Sequence, residues 1–194
     1  MFGAEQMLMN RAKDEATFEK IVSLINNFKA YYARNNQPCY ENPSPGNKDG
    51  GITTLEEKSN GCVLKGGALE IEDVLDVGER VKANNLSLVN GPGNDLVACT
   101  NLAAAGCNVI FFTTGRGTPF GTLVPTIKVA TNHRVAAHKS DWIDFDGGRC
   151  LDEDTLKVRD DLLDKLIAVA SGEKVKAERS SLGLIALFKT GVTL

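Results

Sequence analysis

Long apolar runs are missing from this 194-residue sequence. None approaches the ~20 residues that a bilayer-spanning helix needs, so no membrane partner is expected. The opening stretch MFGAEQMLMNRAKDE lacks both the charged and the apolar region of a secretion signal, and the chain reads as cytoplasmic. No excess of one charge is present either: 22 basic residues are interspersed with 25 acidic ones, for a net charge of −3. Nucleic acid is therefore not an expected partner, because no basic face is available to phosphates. The five cysteines (Cys39, Cys62, Cys99, Cys107, Cys150) include no CxxC pair. Their odd, scattered set excludes zinc-finger spacing and favours free thiols over a disulfide framework. Histidine is scarce. His133 and His138 are five positions apart, about 140° around a helix, so they do not share one metal and read as surface or partly buried residues. With 19 glycines and 6 prolines, collagen-like and low-complexity chains are excluded as well.

What is present is an α/β grammar. Phe18, Ile21, Val22, Ile25, Phe28 and Tyr32 recur at helical spacing and predict a long amphipathic helix over 14–34, with Asp14 or Thr17 as its cap. Residues 36–51 then hold three of the six prolines and three glycines, which predicts a long loop without regular structure. A helix is expected again from Thr53 to about Gly61 or Gly66, and another short one over 70–84. Next come LSLV (86–89) as a strand, GPGND (91–95) as a turn, LVACTNLAAAG (96–106) as a helix and NVIFFTT (108–114) as a strand. That order reads as a βαβ unit with parallel strands. TIKVA (126–130) and WIDF (142–145) add two strands, a helix follows at 154–171 with Gly172 as its stop, and LIALFKTGVTL reads as a last strand or buried segment. The expected fold is one 194-residue α/β domain: a mostly parallel, Rossmann-like sheet flanked by helices. Residues 1–84 form its helical layer and long Gly/Pro-rich ligand loop, and 85–194 its α/β core.

Four stretches can carry chemistry. In Asn42–Gly51 the prolines stiffen the loop, the glycines admit a ligand, and Asn47 and Lys48 offer donors suited to a carboxylate or phosphate. The competing reading is an elaborate connector. Thr53-Thr54-Leu55-Glu56-Glu57-Lys58 matches capping-box spacing twice, so it can simply start a helix. A helix start after Gly50-Gly51 is also an anion site for which Thr53 and Thr54 are the binding residues. Glu56, Glu57 and Lys58 are there the candidates for acid–base work. Gly91–Asp95 is not GxGxxG, so it is weak as a nucleotide signature and adequate as a tight turn. Thr113–Gly121 lies beyond the carboxyl end of an apolar strand, where ligands bind in open parallel sheets. Arg116 can grip a carboxylate through two parallel hydrogen bonds, and Thr118 adds a hydroxyl for sugar hydroxyls.

Six of these motifs coincide in order with one known pattern. NPSPGNKDGGITTLEEKSNGC (42–62), GPGND (91–95), FTTGRGTPFG (112–121), PTIKVATN (125–132), DWIDFDGG (141–148) and FKTGVTL (188–194) resemble the C-terminal region of the altronate/galactarate dehydratase family. The resemblance implies dehydration of a sugar acid to a 2-keto-3-deoxy acid, with iron or another divalent metal associated with activity. It also implies a part of a sulfolactate sulfo-lyase as an alternative. Members are longer, with a small N-terminal domain and a central region before this part. The chain is thus expected to be an excised domain or one subunit, nearly inactive without those regions as partners; a second copy of the chain is a further expected partner. Iron needs ligands, and Cys62, after Glu56–Lys58, is the thiol that the family-like stretch offers. Glu56 and Cys62 can bind one ion only if the helix breaks near Asn60-Gly61; the competing reading makes Cys62 a buried filler. Outside the enzyme class, the alternative is a stand-alone α/β module that binds a small anionic ligand.

Overall fold

The computed structural model describes residues 2–39 and 42–191. Its strands are all parallel and flanked by helices, so the α/β class predicted from the sequence is the one observed. The chain divides into two compact units, one of residues 1–90 with 188–194 and the other of residues 91–187.

In the first unit, α1 (Glu5–Met9) and α2 (Glu15–Arg34) pack on a two-stranded sheet, β1 (Ile71–Leu75) and β2 (Leu86–Val89). Asp14 caps α2 by accepting the Thr17 amide at 2.8 Å. The helix buries Ile21 and Ile25 against Leu8, Ile71 and Val74. Each such side chain contributes roughly 1.5–3 kcal/mol of apolar burial. α3 (Pro45–Asp49) and α4 (Leu55–Leu64) lie between them in sequence.

In the second unit the sheet order is β3 (Ile110–Thr114), β4 (Thr126–Ala130), β5 (Phe145–Asp146). The register pairs Ile110 with Thr126 and Thr114 with Ala130. β4 is central, and all five of its residues are buried. α5 (Asp95–Ala105), α6 (His133–His138), α7 (Thr155–Ala170) and α8 (Lys176–Arg179) surround it, with a 3-10 turn at Gly147–Leu151. Ile127 and Val129 pack with Val169 and Val175, while Ile110 packs with Cys99 and Phe120.

Several expectations are corrected. Residues 70–84 are not a helix: Ile71–Leu75 is a strand, and 76–85 has no regular structure. The register shifts between Ile71 and Asp73, and such an irregularity puts 71, 74 and 75 on the buried side, a spacing that imitates helical periodicity. The expected βαβ unit does not form, because β2 pairs with β1 while β3 belongs to the other sheet. A strand misread as a helix left β2 with the wrong partner. The loop over 36–51 contains the short α3, which Pro45 can open because a first-turn residue needs no amide donor; Tyr40 and Glu41 lie outside the described residues. WIDF shrinks to Phe145–Asp146. The tail before residue 192 is no strand, and Leu184, Ile185 and Leu187 are exposed; Val192–Leu194 lie outside the described residues.

Candidate functional site

The stretch 42–62 forms one polar constellation within the first unit. Thr54 is the N-cap of α4, its Oγ1 accepting the Glu57 amide at 3.1 Å. The Glu57 carboxylate turns back to accept from the Thr53 amide at 2.8 Å and the Thr53 hydroxyl at 3.0 Å. These bonds, the backbone one first, hold the Glu57 carboxyl below its ordinary range. Lys58, one position further, donates from Nζ to Asn42 Oδ1 and Asn47 Oδ1, both at 2.7 Å. Asn47 Oδ1 also accepts the Ser44 hydroxyl at 2.9 Å. Loop and helix are thereby tied through one ammonium, and Asn47, Thr53, Thr54, Glu57 and Lys58 fall in one hydrogen-bonded neighbourhood. Lys48 is exposed on α3. Glu56 is exposed, and its stem packs over Gly3, where a Cβ would lie 2.6 Å from Glu56 Cγ.

Cys62 is exposed, not the buried filler of the competing reading. α4 runs unbroken through Asn60-Gly61, so Glu56 and Cys62, six residues apart, do not share a face. Among the described residues no three His, Cys, Asp or Glu side chains cluster to hold a metal ion. Cys62 offers a single thiol.

In the second unit the strand ends carry the other group. Thr114 Oγ1 accepts the amides of Arg116 at 3.3 Å and Gly117 at 2.8 Å, which turns the chain sharply at the end of β3. Arg116 is exposed and Thr118 is half-buried. From the end of β4, Asn132 Nδ2 donates to the Gly115 carbonyl at 3.2 Å. His133 stands between two carboxylates, with Nδ1 2.6 Å from Asp146 and Nε2 2.5 Å from Asp152. Those contacts, Asp146 first, raise its pKa above the ordinary histidine value.

The sequence reading missed Lys128, the central residue of β4, whose relative exposure is 1%. Its Nζ donates to the Thr118 carbonyl at 2.9 Å and stands 5.6 Å from the centroid of the Phe120 ring. Burial pushes its ammonium below the ordinary lysine value, against the raising influence of Asp144. The one signal available was a charge between the apolar Ile127 and Val129 of a five-residue strand. A cleft of about 430 Å³ in the first unit, between Lys13, Lys20, Lys82 and Asp14, Glu72, Asp73, contains none of the candidate catalytic, binding or metal residues read from the sequence.

The family model for the C-terminal region of D-galactarate/altronate dehydratase matches residues 1–193. The chain belongs to that family. It is 51% identical over 195 residues to an altronate dehydratase of Escherichia coli (strain K12), covering all of this chain and 39% of that protein. Identity is 53% over 196 residues with an altronate dehydratase of Bacillus subtilis (strain 168), again across all of this chain and 39% of the relative. A galactarate dehydratase (L-threo-forming) of Escherichia coli (strain K12) is 35% identical over 174 residues, 88% of this chain and 33% of its own length. The chain thus spans about two-fifths of the length of the altronate dehydratases it matches. The first polar group lies on a motif read from the sequence, the loop and helix start at 42–62; the second lies in part on the motifs at 112–121, 125–132 and 141–148, while its His133 and Asp152 fall outside them. Among the described residues no helix is long and apolar enough to cross a membrane.

Proposed function

We propose that this chain is the C-terminal part of a hydro-lyase that removes water from a sugar acid, altronate or galactarate, and forms a 2-keto-3-deoxy acid. The observation that supports this reading is the end-to-end match to altronate dehydratases at 51% and 53% identity. In the reaction a base takes the proton on C2, beside the carboxylate. The electron pair forms the C2–C3 double bond, the C3 hydroxyl is protonated and leaves as water, and the enol tautomerises to the 2-keto acid. The difficult species is the enediolate, whose charge needs fixed positive groups.

In this proposal Lys58 supplies such a group, because Asn42 and Asn47 hold its ammonium in place. Asn47 and Lys48 on the loop, and Thr53 and Thr54 at the helix start, bind the acid and its hydroxyls. In the second unit, Arg116 and Thr118 are the residues of the strand-end loop suited to a carboxylate and a hydroxyl. Of the two carboxylates, Glu56 is left for proton transfer, while Glu57 fixes the start of α4. The rest of the proton-transfer groups come from the regions that precede this one in the longer relatives. A divalent metal, iron foremost, belongs to the proposal as an ion whose ligands lie mainly outside these residues. Metal content of the wild type against Cys62→Ser tests whether this thiol contributes.

A panel of sugar acids tests the proposal, with the 194-residue chain alone and with the preceding regions of a dehydratase restored. Turnover of altronate or galactarate is expected only in the second case, and Lys58→Met should lower it on the order of 10²-fold, as loss of an electrostatic clamp does. Robust turnover by the chain alone would overturn the division of labour. No turnover of any acid by the restored protein would overturn the function.

A further inference from the structure

The lysine in the middle of β4 is not explained by stability. Burying an ammonium costs free energy unless its donors are satisfied, and Lys128 has three donors with one hydrogen bond among the described residues, to the Thr118 carbonyl. An apolar side chain of the same length would fill the space beside Phe120 without that cost, and such replacements of buried charge are often neutral or stabilising. What the lysine touches is the middle of the loop that joins β3 to β4. That loop is pinned at its start by Thr114 Oγ1. At its end Phe120 packs edge-on against Phe112 at 5.0 Å, and the Gly121 carbonyl accepts the Leu184 amide at 2.9 Å. Lys128 is the middle anchor, approaching from beneath.

We propose that Lys128 is a positioning residue: its buried ammonium holds the Thr118 carbonyl and thereby sets the 115–121 loop in the conformation that presents Arg116 and Thr118 at the ends of β3 and β4. The ligand that such a loop takes is a small polyhydroxylated carboxylate, and that much rests on the functional reading above. The setting of the loop does not. Asp144 supports the arrangement from the residue just before β5, its side chain accepting the amides of Lys128 at 2.9 Å and Lys176 at 2.8 Å. This fixes the backbone from which the lysine reaches.

Amide hydrogen exchange and thermal melting of the 194-residue chain, as wild type and Lys128→Met, decide the matter without any sugar acid. Methionine keeps the length of the stem and a favourable contact with the Phe120 ring. The expected result is an unchanged or higher melting temperature together with exchange at the Arg116 and Gly117 amides at least about tenfold faster, the effect of losing one hydrogen bond to a charged group. Lys128→Leu, differently shaped but equally apolar, should loosen the same amides; a packing defect would instead differ between the two variants. A lower melting temperature or loss of folding in both variants would make the lysine structural and overturn the proposal. Unchanged exchange over 115–121 would overturn it as well. Because no turnover is read, either failure leaves the dehydratase reading standing, and a failure of that reading leaves this result intact.

Discussion

The helix start at 53–58 and the strand-end loop at 115–121 are both polar, glycine-flanked turns, yet they are built in opposite ways. The first is assembled from the outside. The Glu57 carboxylate and amide bond Thr53 and Thr54 at 2.8–3.1 Å near the surface, within five residues of sequence, and the Lys58 ammonium ties the helix to Asn42 and Asn47 of the loop at 2.7 Å. The second is held from the inside, by a lysine ten residues away that is 1% exposed. Local polar networks shape a turn cheaply and leave it adaptable. A buried charge shapes a turn at a cost to stability, and it fixes one conformation.

The largest test of this contrast uses glycine. A Cβ at Gly121 would lie 2.2 Å from the Leu182 carbonyl oxygen and 2.7 Å from the Ala177 Cβ, both parts of the packed frame. Gly148 is as tight, 2.7 Å from the His133 amide. Gly121→Ala should therefore destabilise by about 3 kcal/mol, a fall in melting temperature of roughly 6–12 °C for a chain of this size. At Gly61, inside α4, a Cβ would meet nothing within 4 Å. Gly61→Ala should stabilise by about 0.5–1 kcal/mol, because alanine is the better helix former. Effects of opposite sign would sharpen the comparison; two losses of similar size would break it.

How much of this was legible depends on how far a feature reaches along the chain. The helix α2, the α7 helix and the central strand β4 were read correctly because each is decided within a few residues, and of the two caps offered for α2, Asp14 or Thr17, the structure has Asp14. The capping box at Thr54 and Glu57 was legible for the same reason. β1 was not, since its register irregularity gives a strand the apolar spacing of a helix. The division into two sheets followed from that one error. Lys128 was invisible as a site residue because its partner, the Thr118 carbonyl, carries no side-chain signal. The pairing of His133 with Asp146 and Asp152, 13 and 19 residues away, needs the β4–β5 register before it can be seen.

A middle-sized effect probes the outside-built turn. Thr54→Ala removes the acceptor for the Glu57 amide and should cost about 1 kcal/mol, as N-cap losses do. Glu57→Gln instead removes the charge that accepts from Thr53. Because the Glu57 carboxyl is held below its ordinary value of 4.5, its contribution is present above that pH and is lost as pH falls through the depressed folded value. Wild type and Glu57→Gln should then melt apart at pH 6 and converge in strong acid. A difference that persists there would assign the effect to shape and not to charge.

The smallest effect belongs to His133 at the strand ends, because the side chain is about half exposed and solvent screens its ion pairs. Its pKa is raised above 6.5, first by Asp146 and then by Asp152. A cationic group with a raised folded pKa stabilises fully below its unfolded value and loses that stabilisation as pH rises through the folded value. Wild type should therefore melt above His133→Ala at pH 6, and the gap should close as the imidazole becomes neutral on the alkaline side. Asp152, the more exposed of the two partners, should matter less than Asp146, which also accepts the Gly148 amide at 2.9 Å. Asp152→Asn is thus expected to reduce the gap and Asp146→Asn to reduce it further, the remaining carboxylate keeping part of it in each case. A gap that is constant from pH 6 to the alkaline side would show that His133 holds the strand ends by packing alone. The contrast between a charge-set and a cap-set turn would then rest on Lys128 alone.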